Sequence, residues 1–243
     1  MLRAYNFCAG PATMPEPVLQ KAQEELLNWG KKGVSVMEMS HRSPEFLEIA
    51  YHAEHSLRQL MHIPDDYRVL FLQGGASTQF AVIPMNILRG KKTADYIRTG
   101  VWSHKAVEQA QRYCEVNIAS DTQDNGYNYI PEFSTWTLNP DAAYVHFASN
   151  ETIGGVQFNW LPETGDVPIV ADMSSDILSR PINVSNYGLI YAGAQKNIGP
   201  SGLTVVIVRK DLIGDALPIT PLTFDYGVQA KDSSLYNTPP TFA

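Results

Sequence analysis

Residues 188–208 read GLIYAGAQKNIGPSGLTVVIV, where two apolar runs flank a turn that carries one lysine. Runs as continuously apolar as GLIY and LTVVIV are typical of strands that are buried on both faces of a sheet. Glycines and a proline mark the turn between them, and Lys196 is its only charged residue. The segment therefore predicts two buried strands, and it places a single charge at the carboxyl end of the first one.

Similar apolar runs recur along the chain. The seven strand candidates are VLFL (69–72), ADYI (94–97), EVNIA (115–119), AYVHFA (143–148), VPIVAD (167–172), GLIYAG (188–193) and LTVVIV (203–208). Helical patterns occupy about residues 77–88 and 103–113, between the first three candidates. Strands that alternate with helices in this way predict an α/β fold, with a mostly parallel seven-stranded sheet and helices on both of its faces.

Two helices are predicted before the first strand. The segment 15–30 starts with prolines suited to a first helical turn, stops at Gly30, and repeats apolar residues at Val18, Ala22 and Leu26. The second helix has Ser43 as N-cap, ends before Pro64, and has an apolar face of Phe46, Ile49, Ala50, Ala53, Leu57, Leu60 and Met61. Residues 1–14 show no periodicity, so we predict an N-terminal arm (1–14) followed by one large domain (15–243).

Composition and charge narrow the class of function. The 243 residues are 44% hydrophobic and 18% charged, with a net charge of -7. The acidic balance and the lack of a basic run argue against a nucleic-acid or anionic-membrane partner. No signal-peptide core or membrane-length apolar run is present, so a cytoplasmic protein is expected. Because nucleic-acid and membrane partners are disfavoured, a small-molecule ligand is expected. Cys8 and Cys114 fit neither a disulfide framework nor a metal site.

Ligands of open α/β sheets bind beyond the carboxyl ends of the strands, so the residues that follow each strand are the first candidates. After the strand 69–72, Gly74 and Gly75 permit a sharp turn. Ala76, Ser77 and Thr78 then open a helix whose free N–H groups could hold a phosphate. A plain strand-to-helix turn is the alternative interpretation of this segment.

Three further residues lie at strand ends. Asp172 ends the strand 167–172, where a carboxylate is often only a helix N-cap. Lys196 follows the strand 188–193, although a lysine in a turn can simply extend to solvent. Trp102 follows the strand 94–97 and offers a flat apolar face to a ligand ring, with an ordinary core tryptophan as the alternative.

Taken together, these groups match the requirements of pyridoxal 5'-phosphate (PLP). That cofactor needs a phosphate anchor, a carboxylate that keeps its pyridine nitrogen protonated, and an amine that forms an imine with it. An amine shielded from bulk water beside a cationic ring has a lowered pKa and can act as nucleophile and proton carrier. We therefore predict that Lys196 is the covalent attachment point of PLP.

The chain also resembles a known family. The resemblance is carried, in order, by NFCAGPATMP, MEMSHRSPEF, FLQGGASTQF, TGVWSHKA, PDAAYVHFASNETIGGVQF, ADMSSDILSRPI, YAGAQKNIGPSG and YNTPPTF. These segments are similar to those of the phosphoserine aminotransferases, which have the aspartate-aminotransferase fold. The resemblance implies exchange of amino and keto groups between glutamate and 3-phosphohydroxypyruvate, giving O-phosphoserine and 2-oxoglutarate in serine biosynthesis, with a second role in pyridoxine biosynthesis.

The resemblance also implies roles for residues at matching positions. Lys196 resembles the Schiff-base lysine and Asp172 the partner of the pyridinium nitrogen. The other cofactor contacts that it implies are Trp102 on the ring, Thr152 on the phenolic oxygen, and Ala76, Ser77 and Gln195 on the phosphate. Asn237 and Thr238 match residues that reach the phosphate site of the other subunit, which implies a homodimer, and Arg42 with its neighbour His41 matches the substrate-anion site.

Members of this family continue past the NTPPTF motif into a smaller C-terminal domain that adds substrate-binding residues. This chain ends at Ala243, so we expect it to be truncated, to keep the cofactor residues and to be impaired in turnover. Other interpretations remain open at this point. Related enzymes such as cysteine desulfurases and alanine–glyoxylate aminotransferases would share the lysine, the aspartate and the phosphate turn, and a nucleotide-binding protein without chemistry could use Lys196 as a phosphate partner.

Overall fold

The computed structural model of the protein describes residues 3–243. Residues 1 and 2 of the predicted arm lie outside the described residues. From residue 3 to Pro15 the arm has neither helix nor strand. Its Ala12 N–H donates a 2.8 Å hydrogen bond to the carbonyl of Gln195, which attaches the arm to the turn that contains Lys196.

The described chain alternates strands and helices after its first two helices. The strands are β1 (Tyr67–Leu72), β2 (Thr93–Arg98), β3 (Glu115–Asp121), β4 (Val145–Ala148), β5 (Asn150–Glu151), β6 (Val156–Gln157), β7 (Ile169–Asp172), β8 (Leu189–Gly193) and β9 (Thr204–Arg209). The α-helices are α1 (Glu16–Glu25), α2 (Pro44–Met61), α3 (Gly75–Ile87), α4 (Val101–Ala110) and α5 (Tyr226–Lys231). Short 3-10 turns cover Trp29–Lys31, Val36–Glu38, Gln123–Asn125, Phe133–Thr135, Val184–Asn186, Lys210–Leu212 and Leu222–Phe224.

Seven of these strands form one sheet in the order β1-β9-β8-β7-β4-β2-β3. β9 is antiparallel to both of its neighbours, β1 and β8, whereas the other pairs in the sheet are parallel. Because β1 and β8 both run opposite to β9, they run in the same direction as the rest of the sheet. The prediction of a mostly parallel seven-stranded sheet is confirmed, and β5 and β6 add a small two-stranded hairpin beside it.

The central strands are buried on both faces. Every residue of β4, β7 and β8 is buried, and alternate residues contribute to two hydrophobic clusters on opposite sides of the sheet. In β8, for example, Ile190 belongs to one cluster and Tyr191 to the other. This arrangement explains why the strand sequences are continuously apolar instead of alternating.

Local signals decide where the helices begin. The Ser43 hydroxyl accepts a 3.3 Å hydrogen bond from the Phe46 N–H, and Pro44 occupies the first helical position of α2, as predicted. Before α3, Gly74 has φ 95°, and a Cβ there would lie 2.3 Å from the Thr78 hydroxyl oxygen. Glycine is therefore required at position 74 both by its conformation and by the space available.

Several predicted boundaries and faces were wrong. α3 begins at Gly75 and α4 at Val101, two residues earlier than predicted in each case, and α4 ends at Ala110 instead of Tyr113. α1 ends at Glu25, and a separate 3-10 turn follows it. No residue of α1 is buried, and on α2 the side chain of Leu60 is 67% exposed. A periodic pattern predicts a helix, but burial also needs close packing, and the apolar residues of α1 instead line a cavity of about 490 Å³ that they share with Ile49 and Phe242.

Across residues 3–243, no helix is long and apolar enough to cross a membrane.

Candidate active site

The carboxyl ends of the parallel strands meet at one edge of the sheet and place the predicted residues close together. A cavity of about 200 Å³ lies at this edge. It is lined by Gly74, Gly75, Ala76, Ser77, Trp102, Asp172, Ser174, Gln195 and Lys196. Six of the residues predicted to contact a cofactor therefore surround one space, although the turns that carry them are far apart in sequence.

Lys196 extends from the turn after β8 into this cavity. Its Nζ lies 4.5 Å from the centroid of the Trp102 ring and donates a short hydrogen bond to the Thr152 hydroxyl. Burial lowers the pKa of Lys196, and the negative charges of Asp172 and Glu151 oppose that effect. The amine is thus held by two of the residues predicted to contact PLP, in an environment that favours its neutral, nucleophilic form.

Asp172 is the last residue of β7 and is buried. Its Oδ1 accepts hydrogen bonds from the Ser174 N–H at 2.9 Å and from the Ser174 hydroxyl at 2.6 Å. Burial raises the pKa of Asp172, while the hydrogen bonds from Ser174 and the charge of Lys196 act in the opposite direction. A cationic ligand beside this carboxylate would favour its ionised form still further.

The N-terminus of α3 forms the opposite wall of the cavity. Ala76 and Ser77 in its first turn line the cavity, and no acidic residue of that turn would repel an anion bound there. At Gly193 a Cβ would lie 3.1 Å from Oε1 of Gln195 and 3.5 Å from the backbone nitrogen of Ala76. The absence of a side chain at Gly193 therefore allows the Gln195 amide to approach the start of α3.

These donors suit PLP. The wall formed by α3 and Gln195 provides neutral hydrogen-bond donors for a phosphate, and helix N-termini bind such anions well. The indole N–H of Trp102 is buried and has no hydrogen-bond partner among the described residues, so the ring is held by packing and keeps a face towards Lys196. An amine, a buried carboxylate, a flat aromatic ring and a phosphate cradle are all present in this cavity, and the residues fit the cofactor.

Five predicted residues do not line the cavity. Thr152 still contacts it through its hydrogen bond with Lys196, whereas the other four lie apart from it. Thr238 and His41 contact each other, with 3.3 Å between the Thr238 hydroxyl oxygen and Nδ1 of His41. Asn237 and Thr238 line a different, much smaller pocket, and Arg42 is exposed. Within one chain, Thr238, Asn237, His41 and Arg42 are therefore separate from the cavity that contains Lys196.

Two functional candidates did not emerge from the sequence. Ser174, which holds Asp172, follows it by two residues, and that spacing is a signal for a side-chain turn that could have identified it. Glu151 is fully buried, and both of its carboxylate oxygens accept hydrogen bonds from the start of α4. Nothing in its local sequence indicates this, because its partners lie 48 and 49 positions away.

Comparison with known proteins identifies an aminotransferase family, in agreement with the residues of the cavity. The Aminotransferase class-V family matches residues 4–243. The chain is 62% identical over 241 residues to the phosphoserine aminotransferase of Pseudomonas aeruginosa, and 62% identical to that of Pseudomonas fluorescens. In both cases the match covers 99% of this chain and 67% of the relative.

Solved structures agree with the sequence matches. A phosphoserine aminotransferase structure described as showing radiation damage of the Schiff base has a TM-score of 0.96 and 50% identity, covering 100% of this chain and 67% of that one. A PLP-bound phosphoserine aminotransferase from Trichomonas vaginalis has a TM-score of 0.94 and 43% identity, covering 99% of this chain and 71% of that one. The similarity therefore extends over the whole of this chain and about two thirds of its relatives.

Proposed function

Because the chain belongs to the class-V aminotransferase family, and within it to the phosphoserine aminotransferases, we propose that it is a PLP-dependent phosphoserine aminotransferase. The proposed reaction moves an amino group between glutamate and 3-phosphohydroxypyruvate, giving O-phosphoserine and 2-oxoglutarate. It would form part of serine biosynthesis in the cytoplasm. The observation that supports the proposal best is the single cavity that combines Lys196, Asp172, Trp102 and the N-terminus of α3.

Each wall of the cavity would hold one part of the cofactor. The N–H groups at the start of α3 and the Gln195 amide would bind the phosphate, Trp102 would stack on the ring, and Thr152 would bond the phenolic oxygen. Asp172 would pair with the protonated ring nitrogen, since Ser174 already holds the carboxylate in one orientation. When bound, PLP supplies an electron sink that makes the hydrogen on the α-carbon of an amino acid acidic.

Lys196 would carry out the proton transfers. Its Nζ would accept the proton of the substrate α-carbon and would donate it back during the exchange of amino and keto groups. The burial that lowers its pKa keeps a larger fraction of this amine neutral at physiological pH than is usual for a lysine. Trp102, 4.5 Å away, limits the directions in which the side chain can move.

The substrate and partner assignments are part of the proposal. Arg42 and His41 would bind the phosphate or carboxylate of the substrate, because a guanidinium group pairs well with such anions. Asn237 and Thr238 do not line the Lys196 cavity of their own chain, which is compatible with a homodimer in which they complete the phosphate site of the other subunit. The small-molecule partners would then be glutamate, 2-oxoglutarate, O-phosphoserine and 3-phosphohydroxypyruvate.

Reconstitution with PLP followed by substrate assays tests this function. We expect visible absorbance that stays with the protein after free PLP is removed, because free PLP is itself coloured. We also expect a change in that absorbance with glutamate and with O-phosphoserine, each of which performs one half of the reaction. Alanine and cysteine serve as controls for alanine–glyoxylate aminotransferases and cysteine desulfurases. A protein that binds PLP but responds only to alanine or cysteine would contradict the proposed substrates, and one that produces no visible absorbance would contradict PLP chemistry.

A further inference from the structure

Glu151 has no role in the function proposed above, yet its carboxylate is fully buried next to the cavity. Its Oε2 accepts a 3.0 Å hydrogen bond from the Trp102 N–H, and its Oε1 accepts a 2.8 Å hydrogen bond from the Ser103 N–H. A buried carboxylate is costly unless it is paired or hydrogen-bonded. Here both oxygens are used to hold the start of α4.

Helix α4 needs this support because its own N-cap cannot provide it. The N-cap residue is Gly100, which has no side chain, while the first N–H groups of a helix lack partners within the helix. Ser103 uses its hydroxyl to accept hydrogen bonds from the N–H groups of Thr99 and Gly100. Glu151 satisfies the N–H groups of Trp102 and Ser103, and its negative charge lies at the positive end of the helix dipole.

Gly100 and Glu151 are matched in shape. A Cβ at position 100 would lie 2.2 Å from Cδ of Glu151, which is far inside the normal contact distance. The φ of Gly100 is -177°, so the backbone there is extended and does not itself require glycine. Glycine is needed at position 100 because the carboxylate of Glu151 occupies the adjacent space.

The same segment also contacts a residue of the cavity. Thr152 directly follows Glu151 and accepts a hydrogen bond from Lys196, whose Nζ lies over the Trp102 ring. The Glu151 side chain therefore links the backbone that carries Thr152 to the backbone that carries Trp102. The Glu151 charge also acts on Lys196, where it raises the pKa against the effect of burial.

We propose that Glu151 is a positioning residue, which fixes Trp102 against the cofactor ring by capping α4 from the strand segment that carries Thr152. This inference rests on the proposed function, because that function places PLP against Trp102. A cap that served only folding would stabilise the chain without affecting how Trp102 meets the ligand. The experiment must therefore measure Trp102 and its effect on PLP binding, which stability alone would not report.

The main variant is Glu151→Gln, which keeps the shape but replaces one acceptor oxygen with an NH2 group that would face an N–H donor. In the protein without PLP, we expect faster amide hydrogen exchange at Trp102 and Ser103. We also expect stronger acrylamide quenching of Trp102 emission, taken as the difference from the matching Trp102→Phe variant. With PLP, we expect the dissociation constant to rise about tenfold, because an unsatisfied buried donor weakens the ring contact.

Two further variants and one double variant sharpen the test. Gly100→Ala should displace the Glu151 carboxylate and reproduce the changes in exchange, quenching and PLP affinity. If Glu151→Gln does not fold, Gly100→Ala serves as the main variant. Glu108→Gln is the control, because Glu108 lies on the same helix with an exposed side chain, and all three quantities should stay at wild-type values. In a Trp102→Ala background, Glu151→Gln should change the PLP dissociation constant less than about twofold, since its effect is expected to act through the ring.

The outcomes separate this inference from the proposed function. Unchanged exchange and quenching in Glu151→Gln would overturn the inference, as would an equal loss of PLP affinity with and without Trp102. A wild-type protein that does not bind PLP would contradict the proposed function. In that case exchange and quenching without ligand still decide the role of Glu151, since altered values support positioning of Trp102 and wild-type values overturn it.

Discussion

Ser174 donates two hydrogen bonds to the same oxygen of Asp172, one from its backbone N–H at 2.9 Å and one from its hydroxyl at 2.6 Å. Both bonds engage Oδ1 and neither engages Oδ2. The Ser174 hydroxyl in turn accepts a 3.0 Å hydrogen bond from the Gly193 N–H at the end of β8. The carboxylate is thus oriented by the protein itself, because Ser174 holds its Oδ1 and the end of β8 holds Ser174.

Asp172→Asn should still bind PLP but should lose most of the half-reaction with glutamate. The amide keeps the shape of the carboxylate but removes the charge that would hold the ring nitrogen protonated, and we expect a rate loss on the order of 100-fold. The rate is measured from the change in cofactor absorbance after mixing. The control is Asp166→Asn, an exposed position just before β7, and near-normal rates in Asp172→Asn would mean that Asp172 is only a structural cap.

Borohydride reduction of the PLP-loaded protein should place the cofactor on Lys196, as located by peptide mapping. Lys105 is a matched control, because its Nζ lies 5.0 Å from the centroid of the same Trp102 ring but the residue is exposed. Lys196→Ala should abolish labelling, while Lys105→Ala should leave it unchanged. A label found on Lys105, Lys91 or Lys210 would overturn the assignment.

The lowered pKa of Lys196 predicts a pH-dependent stability in the absence of PLP. Because burial lowers this pKa below its ordinary value of 10.5, the unfolded chain binds more protons than the folded chain between the folded pKa and 10.5. The contribution of Lys196 to the free energy of unfolding therefore rises with pH across that window. Lys196→Met should be more stable than wild type at about pH 7, and its advantage should shrink towards about pH 10.

Urea unfolding of both proteins without PLP measures this difference in free energy. Lys105→Met controls for the loss of a lysine beside the same ring, and its difference from wild type should be the same at both pH values. A Lys196→Met advantage that does not change with pH would contradict the prediction.

His146 predicts a second pH effect, in acid. Burial lowers its pKa to about 3, while its Nε2 lies 2.8 Å from the Tyr191 hydroxyl. Below about pH 6.5 the unfolded chain gains a proton that the folded chain does not, so stability is lost as the pH falls from there towards the folded pKa. His146→Phe should reduce that loss by up to about 1.4 kcal/mol per pH unit.

The measurement is the free energy of unfolding between about pH 7 and about pH 5. The control is His52→Phe, at a solvent-exposed position on α2, which should keep the wild-type slope. His146→Phe also loses its hydrogen bond to Tyr191, which lowers stability by a similar amount at every pH and does not affect the slope. An unchanged slope in His146→Phe would show that the histidine does not titrate as its burial requires.

The paired change Asn237→Ala and Thr238→Ala should weaken PLP binding in a dimer by about 1 to 3 kcal/mol, because two donors to the phosphate would be lost. Mixing this variant with Lys196→Ala should give heterodimers with one intact site, since each chain supplies what the other lacks. PLP titration combined with sedimentation measures both affinity and association. A strict monomer that binds PLP with the affinity of an intact phosphoserine aminotransferase would refute the role in the other subunit.

The sequence by itself determined the sheet and the two residues at the centre of the proposed chemistry. Strands such as β8 are continuously apolar because both of their faces are buried, and this burial is visible in the residues themselves. Asp172 ends one such strand and Lys196 lies in the turn after another, so their place at the carboxyl edge of the sheet depends only on local pattern. The cap of α2 at Ser43 is equally local and was predicted correctly.

Only the tertiary structure decided which distant groups meet. The Glu151 carboxylate reaches α4 across 48 positions of sequence, and the early start of that helix depends on this contact. Thr238 and His41 are 197 positions apart, and the apolar side of α1 remains open within residues 3–243. A local pattern records backbone preference and burial, whereas contacts of this kind are set by the order of strands in the sheet and by the space that a glycine leaves free.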